Sequence, residues 1–150
     1  MAVQDTYRPL ISEVLRKVNN AKTKQEKTKL LLQYNTQALR SLLIWNFDES
    51  VVSLLPEGDV PFEKNPAPEG TDHILLEKQD KKFHYFVKGG GEVSRMKREE
   101  MFIGMMESLH PDEAEVLCLV KDKKLQSKYN RISKALVQET FPQIKWGGRS

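Results

Sequence analysis

The sequence predicts an all-α protein: a single compact domain of about six to eight short helices. Three observations carry this expectation. Apolar side chains recur every three or four residues in segment after segment. Ser, Thr, Asp or His-Pro stands where most of these segments begin, as helix N-termini require. Strand-like alternation arises in one stretch only. The size agrees: 150 residues, 39% apolar and 30% charged, suffice for one packed core and are too balanced in charge for wholesale disorder.

The elements follow in order. Leu10, Ile11, Val14, Leu15 and Val18 put an amphipathic helix over residues 6–20, with Pro9 tolerated in its first turn. Asn19-Asn20-Ala21-Lys22 ends it. Thr23-Lys24-Gln25-Glu26 is a capping box, in which the threonine oxygen serves the N3 amide and Glu26 reaches back to the Thr23 amide. The short helix behind it carries Leu30, Leu31, Leu32 and Tyr34. Asn35-Thr36 reads as a stop and a new N-cap. The next helix holds Leu39, Leu42, Leu43, Ile44, Trp45 and Phe47, is apolar on nearly every side, and belongs at the centre of the core. Asp48 could cap one further turn with Val51, Val52, Leu54 and Leu55.

From Pro56 to Gly70 the texture changes. Four prolines and two glycines in fifteen residues exclude a helix interior or a central strand. This is an extended connector, pinned by Phe62. Residues 72–88 admit two readings. One is a helix capped by Thr71 or Asp72, with Leu75, Leu76, Phe83, Phe86 and Val87 on one side and Gly89 ending it in the left-handed conformation. The other is a hairpin at 73–88, pairing Ile74–Glu77 with Phe83–Val87, which would make the fold α+β. The supposed turn lacks Asn-Gly or any glycine, which favours the helix.

After Gly89-Gly90-Gly91 a helix starts near Ser94 with the stripe Met101, Phe102, Met105, Met106 and Leu109, preceded by Val93 or Met96. His110-Pro111-Asp112-Glu113 opens another, with proline at N1 and acids in the first turn. Its expected inner face is Ala114, Leu117, Cys118 and Val120. A polar stretch from Lys121 to Arg131 carries Leu125 and Tyr129. Ile132-Ser133 opens the last helix, Ile132 and Val137 standing at staple spacing, and Pro142 ends it. The domain spans 1–146, with 147–150 a flexible tail.

Composition bounds the function. With 24 Lys+Arg against 21 Asp+Glu the chain carries +3, which permits an anionic partner without demanding one. One cysteine, Cys118, excludes an internal disulfide and a CxxC metal site. No apolar run approaches the ~18–20 residues of a membrane span. The N-terminus lacks the basic and apolar parts of a signal peptide. The expectation is a cytosolic protein without membrane contact.

Candidate sites are weak. His73 and His84 are eleven residues apart, so on one helix they share a face but stand ~16 Å apart, too far for one metal ion. Each has a carboxylate four residues on, Glu77 or Asp80, which makes ordinary helix-surface pairs. His110 before proline is a loop or cap residue. Cys118 on a buried face acts as a small hydrophobe. There is no HExxH, EF-hand, P-loop or GxSxG, so the sequence predicts no catalytic residues, no metal and no cofactor. Lys88 with Gly89, Gly90 and Gly91 before a helix could cradle an anion, although a helix stop explains the same glycines. The methionine stripe fits core filling better than an adaptable groove.

Charge is segregated. Arg16, Lys17, Lys22, Lys24, Lys27 and Lys29 are opposed within their span by Glu26 alone. Lys121, Lys123, Lys124, Lys128, Arg131 and Lys134, with Tyr129 among them, are opposed by Asp122 alone. Residues 57–80 carry seven acids and two lysines. The second basic run is the candidate surface for nucleic acid or another partner: point charges for phosphates, one aromatic for stacking, and no base-reading array.

Several segments resemble an uncharacterised small-protein family of T-even-like tailed phages, notably phages of marine cyanobacteria. They are LRSLLIWNFDESVVSLLPEGDVPF, APEGTDHILLE, HYFVKGG, MKREEMFIGMMESLHPDEAEVLCLVKDKKL and ISKALVQETFP, from about Leu39 to Pro142. The LLPEG break, the FVKGG stop and the LHPDEAE start recur in one order. The resemblance implies a phage-encoded protein in the cytoplasm of an infected bacterial host, and transfers no catalytic residue. The resulting expectation is a non-enzymatic accessory protein that binds a phage or host protein. The alternative is a nucleic-acid-associated protein of phage replication or transcription.

Overall fold

The computed structural model describes residues 9–58, 60 and 74–148. Among them are six α-helices: α1 (Ile11–Asn20), α2 (Lys24–Gln33), α3 (Gln37–Phe47), α4 (Arg95–Ser108), α5 (Pro111–Lys121) and α6 (Lys134–Thr140). Three 3-10 helices, Leu76–Lys78, Asp80–Phe86 and Leu125–Ser127, complete the helical content. The described residues hold no β-strand, only two isolated bridges, Ser53 with Val87 and Ile74 with Leu109. The fold is all-α. Connector residues 59 and 61–70, with Phe62, lie outside the described residues, as do Thr71 and Asp72, the cap candidates of the next segment, His73, and residues 1–8 and 149–150.

The predicted caps set the helix starts. The hydroxyls of Thr23, Thr36, Ser94 and Ser133 each accept at 3.1 Å from the amide three residues on. The Glu26 carboxylate accepts from the Lys22 amide at 3.2 Å, one residue before the Thr23 amide that the capping box specified. Helix α1 begins at Ile11, so Pro9 precedes the helix instead of occupying its first turn.

Helix α3 is central, as its all-round apolar pattern requires. Ala38, Leu39, Leu42, Leu43 and Trp45 are buried, and α3 packs on α5 and on the first two 3-10 helices. Helix α1 packs on α2 and α5, α2 on α6, and α4 on α5. The Trp45 ring stacks on Phe86 at 6.3 Å, and Phe86 meets Phe102 edge-on at 5.2 Å.

Two expectations are corrected. The turn after Asp48 is not helical. Residues 51–54 are extended, with the Leu54 amide donating to the Phe86 carbonyl and the Lys88 amide to the Val52 carbonyl, each at 2.9 Å. The Asp48 carboxylate instead serves the Ser50 amide and hydroxyl. Residues 74–88 form neither the hairpin nor one α-helix but two 3-10 pieces separated at Gln79. The spacing of Phe83 and Phe86 accounts for the loss of the hairpin. A three-residue period aligns them on one line, and both rings then reach Trp45. A strand would place them on opposite faces. Gly89 takes the left-handed conformation at φ 85°, as its stop role requires.

Candidate functional site

The predicted basic segment begins as a structural turn. Helix α5 ends with Lys123 left-handed at φ 58°, its amide donating to the Val120 carbonyl at 3.0 Å and the Lys124 amide to the Leu119 carbonyl at 2.8 Å. This is a Schellman closure carrying lysine where glycine is usual. The strained position aims the Lys123 ammonium at the end of α3. It donates to the Trp45 and Asp48 carbonyls, each at 2.7 Å, where the helix leaves acceptors unsatisfied. Burial pushes its pKa below the ordinary lysine value, and the carboxylates of Asp48 and Glu49 act against that shift.

Lys121 is fully buried. Its ammonium donates to the Pro56 carbonyl at 2.7 Å, the Gly58 carbonyl at 3.1 Å and Asp122 at 2.5 Å. Asn46 completes the hub. Its carbonyl accepts from the Leu125 amide at 3.0 Å and its amide donates to Gln126. Tyr129 is buried, with its phenol pKa raised by burial, so it offers no face for stacking. Lys128 pairs with Glu115, Lys124 with Glu57 at 3.2 Å, and Lys134 lies over the Trp146 ring at 5.4 Å.

Arg131 is different. Its side chain is exposed and its amide donates to the Asn19 side chain at 2.9 Å, which ties the second basic run to the end of α1. With α2 packed on α6, Lys24 and Lys27 of the first run come to line one cleft with Arg131, Ser133 and Glu139. Lys24 is paired with Glu139. The charges of Arg16 and Lys128 both act on the Tyr129 phenol. Two runs separated by about a hundred residues of sequence thus share one face, which no spacing rule foretells.

The glycine triplet is accounted for by packing. Gly89 is left-handed; a Cβ on Gly90 would stand 2.2 Å from the His84 carbonyl oxygen; and a Cβ on Gly91 would press on the Tyr85 ring at 3.1 Å. The Gly90 amide donates to the Val87 carbonyl. Gly90→Ala is therefore expected to cost about 1–3 kcal/mol. Gly104→Ala, in open space on α4, should gain about 0.5–1 kcal/mol. Paired denaturant titrations check the opposite signs.

Other singled-out residues take ordinary places. Phe102, Met105, Met106 and Leu109 are buried, Met101 is half-buried, and Met96 is 73% exposed. Cys118 is half-buried instead of fully buried; Val116 takes the inner position. The reason is that its helix position faces the 56–58 segment, with Sγ 4.0 Å from the Gly58 carbonyl. His110 caps α5, its Nδ1 accepting from the Asp112 amide at 3.1 Å. Glu113, read from sequence only as a first-turn acid, is 1% exposed. It accepts from the Ile11 amide at 2.9 Å and the Leu76 amide at 3.1 Å. Burial raises its pKa against the opposing effect of those two bonds. Among the described residues no three His, Cys, Asp or Glu side chains are grouped to hold a metal ion, and no helix is long and apolar enough to cross a membrane.

A second depression, of about 420 Å³, is lined by Ser53, Leu54, Leu55, Pro56, Arg95 and Arg98. Arg98 is held in place by donating to the Tyr85 carbonyl at 2.9 Å and the Val93 carbonyl at 3.2 Å.

Residues 14–127 match a family described as a family of unknown function, DUF6433, and the chain belongs to that family. No curated protein and no solved structure matches the chain.

Proposed function

We propose that this is a phage-encoded accessory protein that acts in the cytoplasm of the infected host without catalysis, by binding a phage or host protein. The observation that carries the reading is the depression at Leu54, Leu55 and Pro56, rimmed by Arg95 and Arg98, with Met96, the residue after Arg95 in the first turn of α4, left 73% exposed. Arginine, methionine and an apolar floor are what protein interfaces concentrate. The buried Glu113 and Lys121 and the half-buried Lys123 support the same reading, because each is engaged in holding backbone. The partner that fits is a segment with an apolar side chain flanked by carboxylates. Affinity capture from infected cells should retain a nuclease-resistant protein on wild type and lose it on Leu54→Glu/Met96→Glu, with helix content unchanged. Equal capture by the variant, or loss of every captured protein after nuclease, defeats the reading.

A second reading, association with nucleic acid in phage replication or transcription, is favoured by one observation: the two basic runs meet across α2 and α6. On this reading the contact passes from Lys121, Lys123 and Tyr129, which are engaged or buried, to Arg131 and the α2 lysines.

A further inference from the structure

We infer that the cleft between α2 and α6 binds a phosphate group, through Lys24, Lys27 and Arg131. The proposal deepens the second reading above and rests on it for the source of the ligand. The cleft has a volume of about 260 Å³, below the usual range for drug-sized ligands, which suits a small anionic group better than a whole cofactor. Three cations face one carboxylate, Glu139, and that carboxylate is already paired with Lys24. Among the described residues, the side chains of Lys27 and Arg131 have no ion-pair partner.

The groups are complementary in kind. Arg131 offers a planar fork that can donate two parallel hydrogen bonds to phosphate oxygens, and the Asn19 bond to its amide fixes the backbone from which the fork extends. Lys27 supplies a half-buried point charge from the facing helix. The Lys24–Glu139 pair closes the third side. A ligand phosphate would compete with Glu139 for Lys24, which makes Glu139 a negative regulator of affinity.

The phosphate could come from a nucleic-acid strand or from a free phosphate or mononucleotide, and the test separates them. Anisotropy of a labelled single-stranded oligonucleotide is measured at low salt, and thermal unfolding is followed with inorganic phosphate and with AMP. The oligonucleotide should bind with a log–log salt slope of about −0.7, as the one single-strand phosphate seated in the cleft requires. Lys27→Glu and Arg131→Glu should each weaken it by roughly tenfold or more, and Glu139→Gln should strengthen it severalfold. All three sites are at the surface, so circular dichroism should be unchanged.

If the Lys27→Glu/Arg131→Glu variant binds the oligonucleotide within about twofold of wild type, the cleft is not the site, while the nucleic-acid reading survives. Should AMP or phosphate stabilise wild type alone, with no oligonucleotide binding, the cleft is upheld and the nucleic-acid reading fails. If neither ligand acts on wild type, both fail.

Discussion

Glu113→Ala is expected to lower the unfolding free energy by about 3–5 kcal/mol, the sum of two buried amides left without acceptors and the cavity of the lost side chain. The buried carboxylate is the joint between three distant parts of the chain. Helix α1 begins after Leu10, which has no side-chain oxygen, so its first turn lacks a conventional cap. The Glu13 carboxylate accepts from the Leu10 amide at 3.0 Å, and Glu113 crosses from α5 to accept from the Ile11 amide. The other Glu113 oxygen accepts from Leu76 at the start of the first 3-10 helix. Glu113→Gln keeps one acceptor and should lose about half as much. Thermal unfolding should shift by on the order of 10 °C for the alanine variant. A loss below about 1 kcal/mol would mean that water replaces the carboxylate at both amides.

The pH dependence of that variant pair follows from the raised Glu113 pKa. Burial is the largest cause, with the negative charges of Glu77 and Glu13 acting in the same direction. The folded protein therefore retains the Glu113 proton at pH values where the unfolded chain has released it. The stability contributed by protonation is fully present below the ordinary value of 4.5 and is lost as pH rises through the folded pKa. The gap between wild type and Glu113→Gln should accordingly be widest in acid and narrow toward neutral pH. A gap that widens with pH would show that the two accepted hydrogen bonds outweigh burial.

Local chemistry was legible wherever it was local. Thr23, Thr36, Ser94, His110 and Ser133 all cap the helices that follow them, because a cap involves residues only two or three apart. The centrality of α3 was legible from its all-round apolar pattern. What spacing could not supply was the partner across the fold. Residues 51–54 look helical by apolar content, yet they are extended because Phe86 and Lys88 offer backbone bonds that only the folded chain brings near. The lysines at 121 and 123 look like free charges in sequence. They are engaged because α5 ends against the carbonyls of residues 45, 48, 56 and 58. One signal was available: an isolated acid directly after the first lysine. The convergence of Arg131 with Lys24 and Lys27 depends on how α2 packs on α6, and no pattern within either run encodes it.

Lys121→Ala is the second large effect, expected at about 3–5 kcal/mol. The ammonium has three N–H donors and three acceptors, so the buried cation is fully satisfied. Its removal leaves two carbonyls without that donor and weakens the pairing of Asp122, whose other oxygen still accepts from the Gly58 amide at 3.0 Å. Lys121→Met restores the buried stem but no donor, so it should recover the packing part alone and remain at least about 2 kcal/mol below wild type. Adding Asp122→Asn to either variant should cost less than Asp122→Asn does in wild type, by about 0.5–3 kcal/mol of coupling. The consequence reaches the surface. Lys121 also accepts, through its carbonyl, the Ser53 hydroxyl at 2.6 Å, and Ser53 accepts from the Trp45 indole at 2.8 Å. The ammonium at one end of this residue and the carbonyl at the other therefore hold both ends of the 53–58 segment, whose residues 53–56 line the depression beside Arg95 and Arg98. Amide hydrogen exchange in Lys121→Met should rise first at Gly58 and spread toward Leu54, before α5 itself is affected. Uniform exchange across the fold would show that Lys121 supports the core as a whole instead of this wall. A Lys121→Ala variant as stable as wild type would show the ammonium to be solvated, and would return Lys121 to the basic surface that its place in the sequence suggested.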